Sequence, residues 1–391
     1  MSPSAERPLP PAWAVVTEDT DRHAAKLLRD FAEGLVREGL PLWRCSTFLL
    51  TRHPDVVVRQ LIWRLGEGAR SGMHRYQGTQ DAEYLESPIK VVQDSREPLR
   101  RRLHGPEAQL DFPGLAGLSR DGGTDYFALP LRFSDGRCSF LSFVTDLPSG
   151  FTEAHLARLT RSVEEIAPRL ELASASFALE SLLSVYLGQS AANRILQGDA
   201  RRGVAKVLHG ALWRCELGGS RKLADTLPAS EVLSRLDRYV EVATHAVVEH
   251  QGEVLELGEG AVLGVFAVQS LGPVDACRRA LLAAERGIAD LEALAKEIGI
   301  DRPIRIALHL GEVTYGNVGS SDRLHFAALG EPVNEVARLG GLCSTLGVPL
   351  LASRAFADQL GGALTSLGAH VPKEATEAHE VLTLERFKRA I

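Results

Sequence analysis

The chain has 391 residues, enough for two or three domains that each bury a core, so no disulfide or structural metal is needed to hold it together. A net charge of −6, from 44 basic and 50 acidic residues, predicts no general affinity for nucleic acid or an anionic membrane. Cys45, Cys138, Cys215, Cys277 and Cys343 form no CxxC pair, so they read as buried thiols of a reducing compartment rather than a disulfide framework or a zinc site.

The opening MSPSAERPLPPAWAV is proline-rich and charged, which predicts no secretory signal, and residues 1–20 are expected to be a flexible N-terminus. No run of about 18 apolar residues is read, so no membrane span and a cytoplasmic location are expected. DRHAAKLLRDFAEGLVREG places Ala25, Leu28, Phe31 and Leu35 three or four apart, the pattern of an amphipathic helix. LWRCSTFLLTRHP and VVVRQLIWRL then read as two strands. RRRLH at Arg100 to His104 reads as a solvated helix face rather than a binding patch. DYFALPLRFSDGRCSFLSFV is a hairpin around Asp135-Gly136, because Asp-Gly supplies the positive φ of tight turns.

A helix from Thr152 to about Gln189 follows. Together these elements predict an α+β sensor-type domain over residues 21–170 with an unknown small-molecule ligand. Trp43, Trp63, His53, Arg44 and Arg64 either line a pocket for it or divide between core and surface. Residues 171–203 form a helical linker, with Phe177, Leu179, Leu182, Leu183, Val185 and Leu187 at helical spacing, and its apolar stripe can pair with a copy in a second chain.

From Val204 the pattern changes. KVLHGALWRCELGG is a strand, and a long helix starts at Ser230, whose hydroxyl can cap it, and ends at Gly252. GEVLELGEGAVLGVF is a hairpin, VDACRRALLAAERGIADLEALAKEIG a helix, and PIRIALHLGEVTYGNVGS two strands. A helix from about Pro332 and the strand VPLLAS follow, so an α/β sandwich with a buried sheet is expected.

ALWRCELGG, DRYVEVATHAVVEHQGEVLELGEGAVLGVF and above all GNVGSSDRLHFAALGEPVNEVARL resemble, in order and interval, the class III adenylate/guanylate cyclase catalytic domain over about residues 204–365. PLWR, HPD, Glu86-Ser87-Pro88, DFP, DYFALPL and DLPSGFTEA resemble the GAF-like regulatory region that precedes some bacterial cyclases of this family. The resemblance implies a GAF-like domain at residues 21–170, a helical linker, and a cyclase-like domain at residues 204–391. It further implies conversion of ATP or GTP to a 3′,5′-cyclic nucleotide and pyrophosphate at a dimer interface, with Mg²⁺ or Mn²⁺ on two aspartates.

Carried over by position, the resemblance makes Asn334 and Arg338 the ribose-orienting and transition-state residues, and i, i+4 spacing puts both on one helix face. The first metal position falls on Glu216. Gly218, Gly219, Ser220 and Arg221 replace the loop that should follow it. Laid without gaps, the second metal position falls on Gly260 and the base-reading lysine on Glu256; a one-residue slip would make Glu259 the ligand instead. The other base-reading position falls on Ala327. Three readings follow: a degenerate cyclase or heterodimer partner that keeps Asn334 and Arg338, an active cyclase with glutamate ligands, or a non-enzymatic sensor or scaffold.

Overall fold

A computed structural model describes residues 17–18, 22–54, 56–75, 86–199, 201–218, 225, 227–258, 260–297, 304–373 and 377–388. The chain divides into two compact units, Met1–Val185 and Tyr186–Ile391. The division falls inside the stretch read as a linker.

In the first unit, β1 (Thr17–Glu18), α1 (Arg22–Arg37), β2 (Arg44–Leu50), β3 (Val56–Arg64) and β4 (Gly68–Arg75) are followed by α2 (Pro88–Ser95) and β5 (Leu99–Arg102). α3 (Pro113–Arg120), β6 (Asp125–Arg132), β7 (Cys138–Thr145) and α4 (Glu153–Leu187) complete it. The strands form one seven-stranded sheet in the order β1-β4-β3-β2-β7-β6-β5, and every pair in it is antiparallel. Ala24, Leu28 and Leu35 of α1 and Leu159, Val163, Ile166 and Leu170 of α4 pack on one face with Cys45, Trp63 and Phe143. Fully burying each large aliphatic side chain contributes about 1.5–3 kcal/mol. Val92 of α2 and Leu115 of α3 cover the other face with Tyr126, Phe140 and Val144.

Several expectations are corrected here. Within residues 1–20, Thr17 and Glu18 pair with Met73 and Gly72 at the sheet edge, although the rest of that segment lies outside the described residues. Arg100 to Arg102 belong to a strand, not to a helix face. The reason is Asp125 across the ladder: fully buried, it accepts from Arg100 Nη2 at 2.8 Å, from Arg102 Nη1 at 3.3 Å and from the Phe151 backbone N–H at 2.9 Å. Trp63 is core, and Nδ1 of His53 accepts from the Val56 N–H in a turn. α4 contains an 18-residue window of mean hydropathy 1.3, long and apolar enough to cross a membrane by length and composition only, a test that the core helix of a globular unit also passes. Its first half is nonetheless a core element of the unit.

In the second unit, α5 (Gln189–Leu196) follows a break at Gly188, whose φ is +82°, and leads to β8 (Ala205–Leu217) and α6 (Ala229–Glu249). Then come β9 (Glu253–Gly258), β10 (Ala261–Ala267), α7 (Pro273–Glu297), β11 (Ile304–Gly319), β12 (Leu324–Leu329) and α8 (Glu331–Leu346). β13 (Leu350–Ser353), β14 (Thr365–His370) and β15 (His379–Thr383) close the sheet, which runs β14-β15-β13-β11-β8-β10-β9 with β12 added to β11. β11 and β13 run parallel.

α6 and α7 bury Tyr239, Val247, Ala280, Ile288 and Leu291 against one face. α8 and α5 cover the other with Val336, Leu339, Cys343 and Ala191. This is a mixed α/β fold with a sheet buried on both faces. The two strands expected in PIRIALHLGEVTYGNVGS are one continuous strand, because β8 pairs with it from Ile304 to Gly316 without a break. Ser230 lies in the first turn of α6, which begins after Pro228 and has no side-chain cap.

Candidate functional site

Glu216 sits on β8 between Ala261 of β10 and Arg305 of β11. Alternation along the strand puts it on the same face as Arg214, two residues earlier. The Arg214 Nε donates to the Glu216 carboxylate at 2.8 Å, with both side chains about a quarter exposed (23% and 25%). A Cβ added at Gly340 would lie 3.6 Å from the Glu216 carboxyl carbon, which places this acid beneath α8. Its cross-strand neighbour Arg305 has a buried Nε without a hydrogen-bond partner. The residue read as the first metal position is thus an acid paired with the Arg214 guanidinium.

The β9–β10 hairpin pairs Gly258 with Ala261. Gly260 adopts φ +84°, a conformation that favours glycine, and its carbonyl accepts from the Leu217 N–H at 2.9 Å. It therefore lies beside β8, one residue from Glu216, but brings no side chain. Glu259, Gly219, Ser220 and Arg221 lie outside the described residues. Among the described residues, no group of three or more His, Cys, Asp or Glu gathers where it could hold a metal ion. Mg²⁺ calls for about six oxygens near 2 Å. A carboxylate committed to Arg214 beside a bare glycine does not fit that demand.

The two base-reading positions are brought together. Glu256 faces Leu263 of β10 just after a bulge in β9, and its Oε1 accepts from the Ala328 N–H at 2.6 Å. Ala327, half-buried, pairs with Gly316. The acid is thereby spent on the backbone of the strand that carries the second position.

On α8, Asn334 is exposed and Arg338 follows one turn later with its side chain 28% exposed. Arg338 reaches the carboxylate of Glu331 and lies 3.5 Å from Glu335. The hydrogen bond to Glu331 raises the Arg338 pKa, and its counterpart lowers that of Glu331. Glu335 is buried and contacts His379 Nδ1 of β15 at 2.6 Å. His309 of β11 contacts Ser353 at 2.9 Å; burial holds its pKa below 6.5, opposed by Glu335 and Glu331. These acids were missed by sequence reasoning, yet Glu335 and Glu331 stand three and seven residues before Arg338, spacings that share one helix face. Arg214 was likewise legible at two residues from Glu216. Nothing local pointed to His379 or His309.

No family model matches the chain. An uncharacterized protein of Mycobacterium tuberculosis (strain CDC 1551 / Oshkosh) is 31% identical over 181 residues, covering 44% of this chain and 32% of that protein. A second from the same strain is 37% identical over 147 residues, covering 37% and 25%. The chain spans a third or less of the length of these curated relatives. Among solved structures, a bacterial light-regulated adenylyl cyclase is 18% identical with a TM-score of 0.49, covering 70% of this chain and 88% of that one. The adenylyl cyclase CyaB from P. aeruginosa is 17% identical with a TM-score of 0.42, covering 48% and 99%. The guanylyl cyclase Cya2 is 19% identical with a TM-score of 0.39, covering 47% and 94%. The solved structures that this chain resembles over part of its length are thus adenylyl and guanylyl cyclases.

Proposed function

We propose that residues 204–391 form a cyclase-like domain that has lost the metal side of a nucleotidyl cyclase site and keeps the Asn334/Arg338 side. On this reading the chain serves cyclic-nucleotide signalling as a degenerate cyclase, or as one half of a heterodimeric site. The observation that carries it is that the two described metal positions supply a single carboxylate, Glu216 paired with Arg214, beside Gly260, while α8 keeps an exposed Asn334 and, one turn on, a partly exposed Arg338 that is itself paired with Glu331. The block GNVGSSDRLHFAALGEPVNEVARL supports the same assignment.

In such a site Asn334 would orient the ribose, and the Arg338 guanidinium would neutralise charge on the transferring phosphoryl group, electrostatic work that counts heavily in this chemistry. ATP or GTP is the substrate class. The metal-binding carboxylates would come from the partner, since Glu216 is engaged by Arg214 and Gly260 has no side chain. The partner is a second cyclase-homology chain, and α4 offers it a seam: Leu172, Leu179 and Tyr186 are spaced seven apart and 68%, 53% and 74% exposed. The first unit acts as a GAF-like sensor of a small molecule.

The test is cyclic-nucleotide production from ATP and GTP, with Mn²⁺ or Mg²⁺, by the full chain alone and mixed with a metal-competent homologue lacking its own transition-state arginine. Little product alone, a gain on mixing, and loss of that gain with Arg338→Ala are expected. Robust product from the chain alone would make it an active cyclase. No gain on mixing removes the heterodimer, and no nucleotide binding with Mn²⁺ present favours the scaffold.

A further inference from the structure

Under α2 and α3, the sheet of the first unit presents Arg64, Arg44, Val144 and Tyr126 side by side on four neighbouring strands. The next row is Ile62, Ser46, Ser142 and Ala128. Arg44 and Arg64 are direct cross-strand partners, an arrangement in which like charges repel.

Arg64 has its own compensation. Its Nη2 donates to Asp121 at 3.1 Å, and its guanidinium lies 5.5 Å from the Trp43 ring centre. Arg44 has no carboxylate partner among the described residues. Its Nη1 donates to the Ser46 hydroxyl at 3.0 Å, Ser46 and Ser142 hydroxyls are 2.8 Å apart, and its buried Nε meets no acceptor. Burial, and then Arg64, push the Arg44 pKa down to about 10.

A guanidinium set into a protein interior is stable when it is paired or fully hydrogen-bonded. Here one donor is unused, a second arginine stands opposite, and two hydroxyls lie alongside, that of Ser142 also donating to the Ser46 carbonyl at 3.3 Å, so that an anion would have to rearrange the pair. We propose that Arg44, with Arg64 and the Ser46–Ser142 hydroxyl pair, binds the oxyanion group of a small molecule, a carboxylate or a phosphate. The fork of Arg44 suits either group, because Nε and a terminal nitrogen can donate to two oxygens at once. Trp43, half-buried beside Arg64, stands at the rim. The second unit plays no part in this site, so the inference is independent of the cyclase reading.

The experiment uses the full chain at constant ionic strength and titrates inorganic phosphate in one arm and acetate in the other, following the thermal unfolding of the first unit against a chloride control. A saturable rise in its midpoint with one of the two anions is expected, and the responding arm identifies the head group. Arg44→Met should abolish the response while leaving the anion-free midpoint equal or higher, because it removes a partly buried guanidinium with an unused donor and no carboxylate partner. Arg64→Met, a change at a partly exposed side chain, should weaken binding roughly tenfold, the effect of one charge-assisted hydrogen bond. The proposal is overturned if wild type shows no saturable response to either anion, or if its response persists unchanged in Arg64→Met. An anion-free loss of stability in Arg44→Met would also overturn it, since it would make Arg44 a satisfied structural group.

Discussion

Two acid–guanidinium clusters, one in each unit, show how burial divides structure from function. Asp125 is fully buried and takes two arginines and a backbone N–H, so every contact serves the β5–β6 ladder and the turn before α4. Arg338 on α8 reaches two carboxylates as well, but its closer partner is the exposed Glu331, and the buried Glu335 has His379 besides, all from a helix it shares with both acids. Removing a partner from a sealed pair leaves a buried charge uncompensated, whereas a pair near water exchanges protein for solvent at little cost. The first cluster is therefore fixed, and the second can be offered to a ligand.

The largest expected effect on stability sharpens this contrast. Asp125→Ala should destabilise the first unit by about 1.5–3 kcal/mol in chemical denaturation, the loss of hydrogen bonds to a charged group. A loss below about 1 kcal/mol would mean that Arg100 and Arg102 are satisfied without it and would break the comparison. Next comes Arg338→Ala in the mixed cyclase assay, where a fall of about 10²- to 10³-fold is expected alongside nearly unchanged stability. A comparable loss of stability would make Arg338 structural, like its counterparts around Asp125.

His309 supplies a pH test of the α8 neighbourhood. Burial lowers its pKa in the folded chain, while the unfolded chain takes up a proton near pH 6.5. The unfolded state then binds more protons in acid, so this contribution is present above about pH 6.5 and is lost as pH falls. Unfolding midpoints measured from about pH 7.5 to about pH 5.5 should therefore fall more steeply for wild type than for His309→Gln. The smallest effect belongs to Glu216→Gln: a partly exposed pair should cost about 0.2–1 kcal/mol, with no change in the Mn²⁺ dependence of the mixed assay. A shift in that dependence would restore Glu216 as a metal ligand.

Much of the architecture could be read from the sequence where periodicity was undisturbed. α1 and α7 carry their buried faces at helical spacing, and the strands β6, β7 and β10 of the two hairpins are near-continuous apolar runs buried on both faces. β4 was missed because GARSGMHR mixes glycine with charge and borrows its strand character from β3. β5 was misread because the acid that explains its arginines lies 25 residues beyond Arg100. In the site, Asn334 and Arg338 were legible because one helix holds both. The fate of Glu216 and Glu256 depends on Arg214 and on the Ala328 amide, and residue identity at a family position says nothing of whether that side chain is already engaged.

The contact between Glu256 and Ala328 has a consequence for dynamics. β12 pairs with β11 on one side only, so its outer row of amides would otherwise lie open to solvent. A carboxylate closes one of them, and that amide exchanges hydrogen only when the side chain lets go. Ala328 thus carries a local clock for whether Glu256 is held by its own chain or drawn to something else.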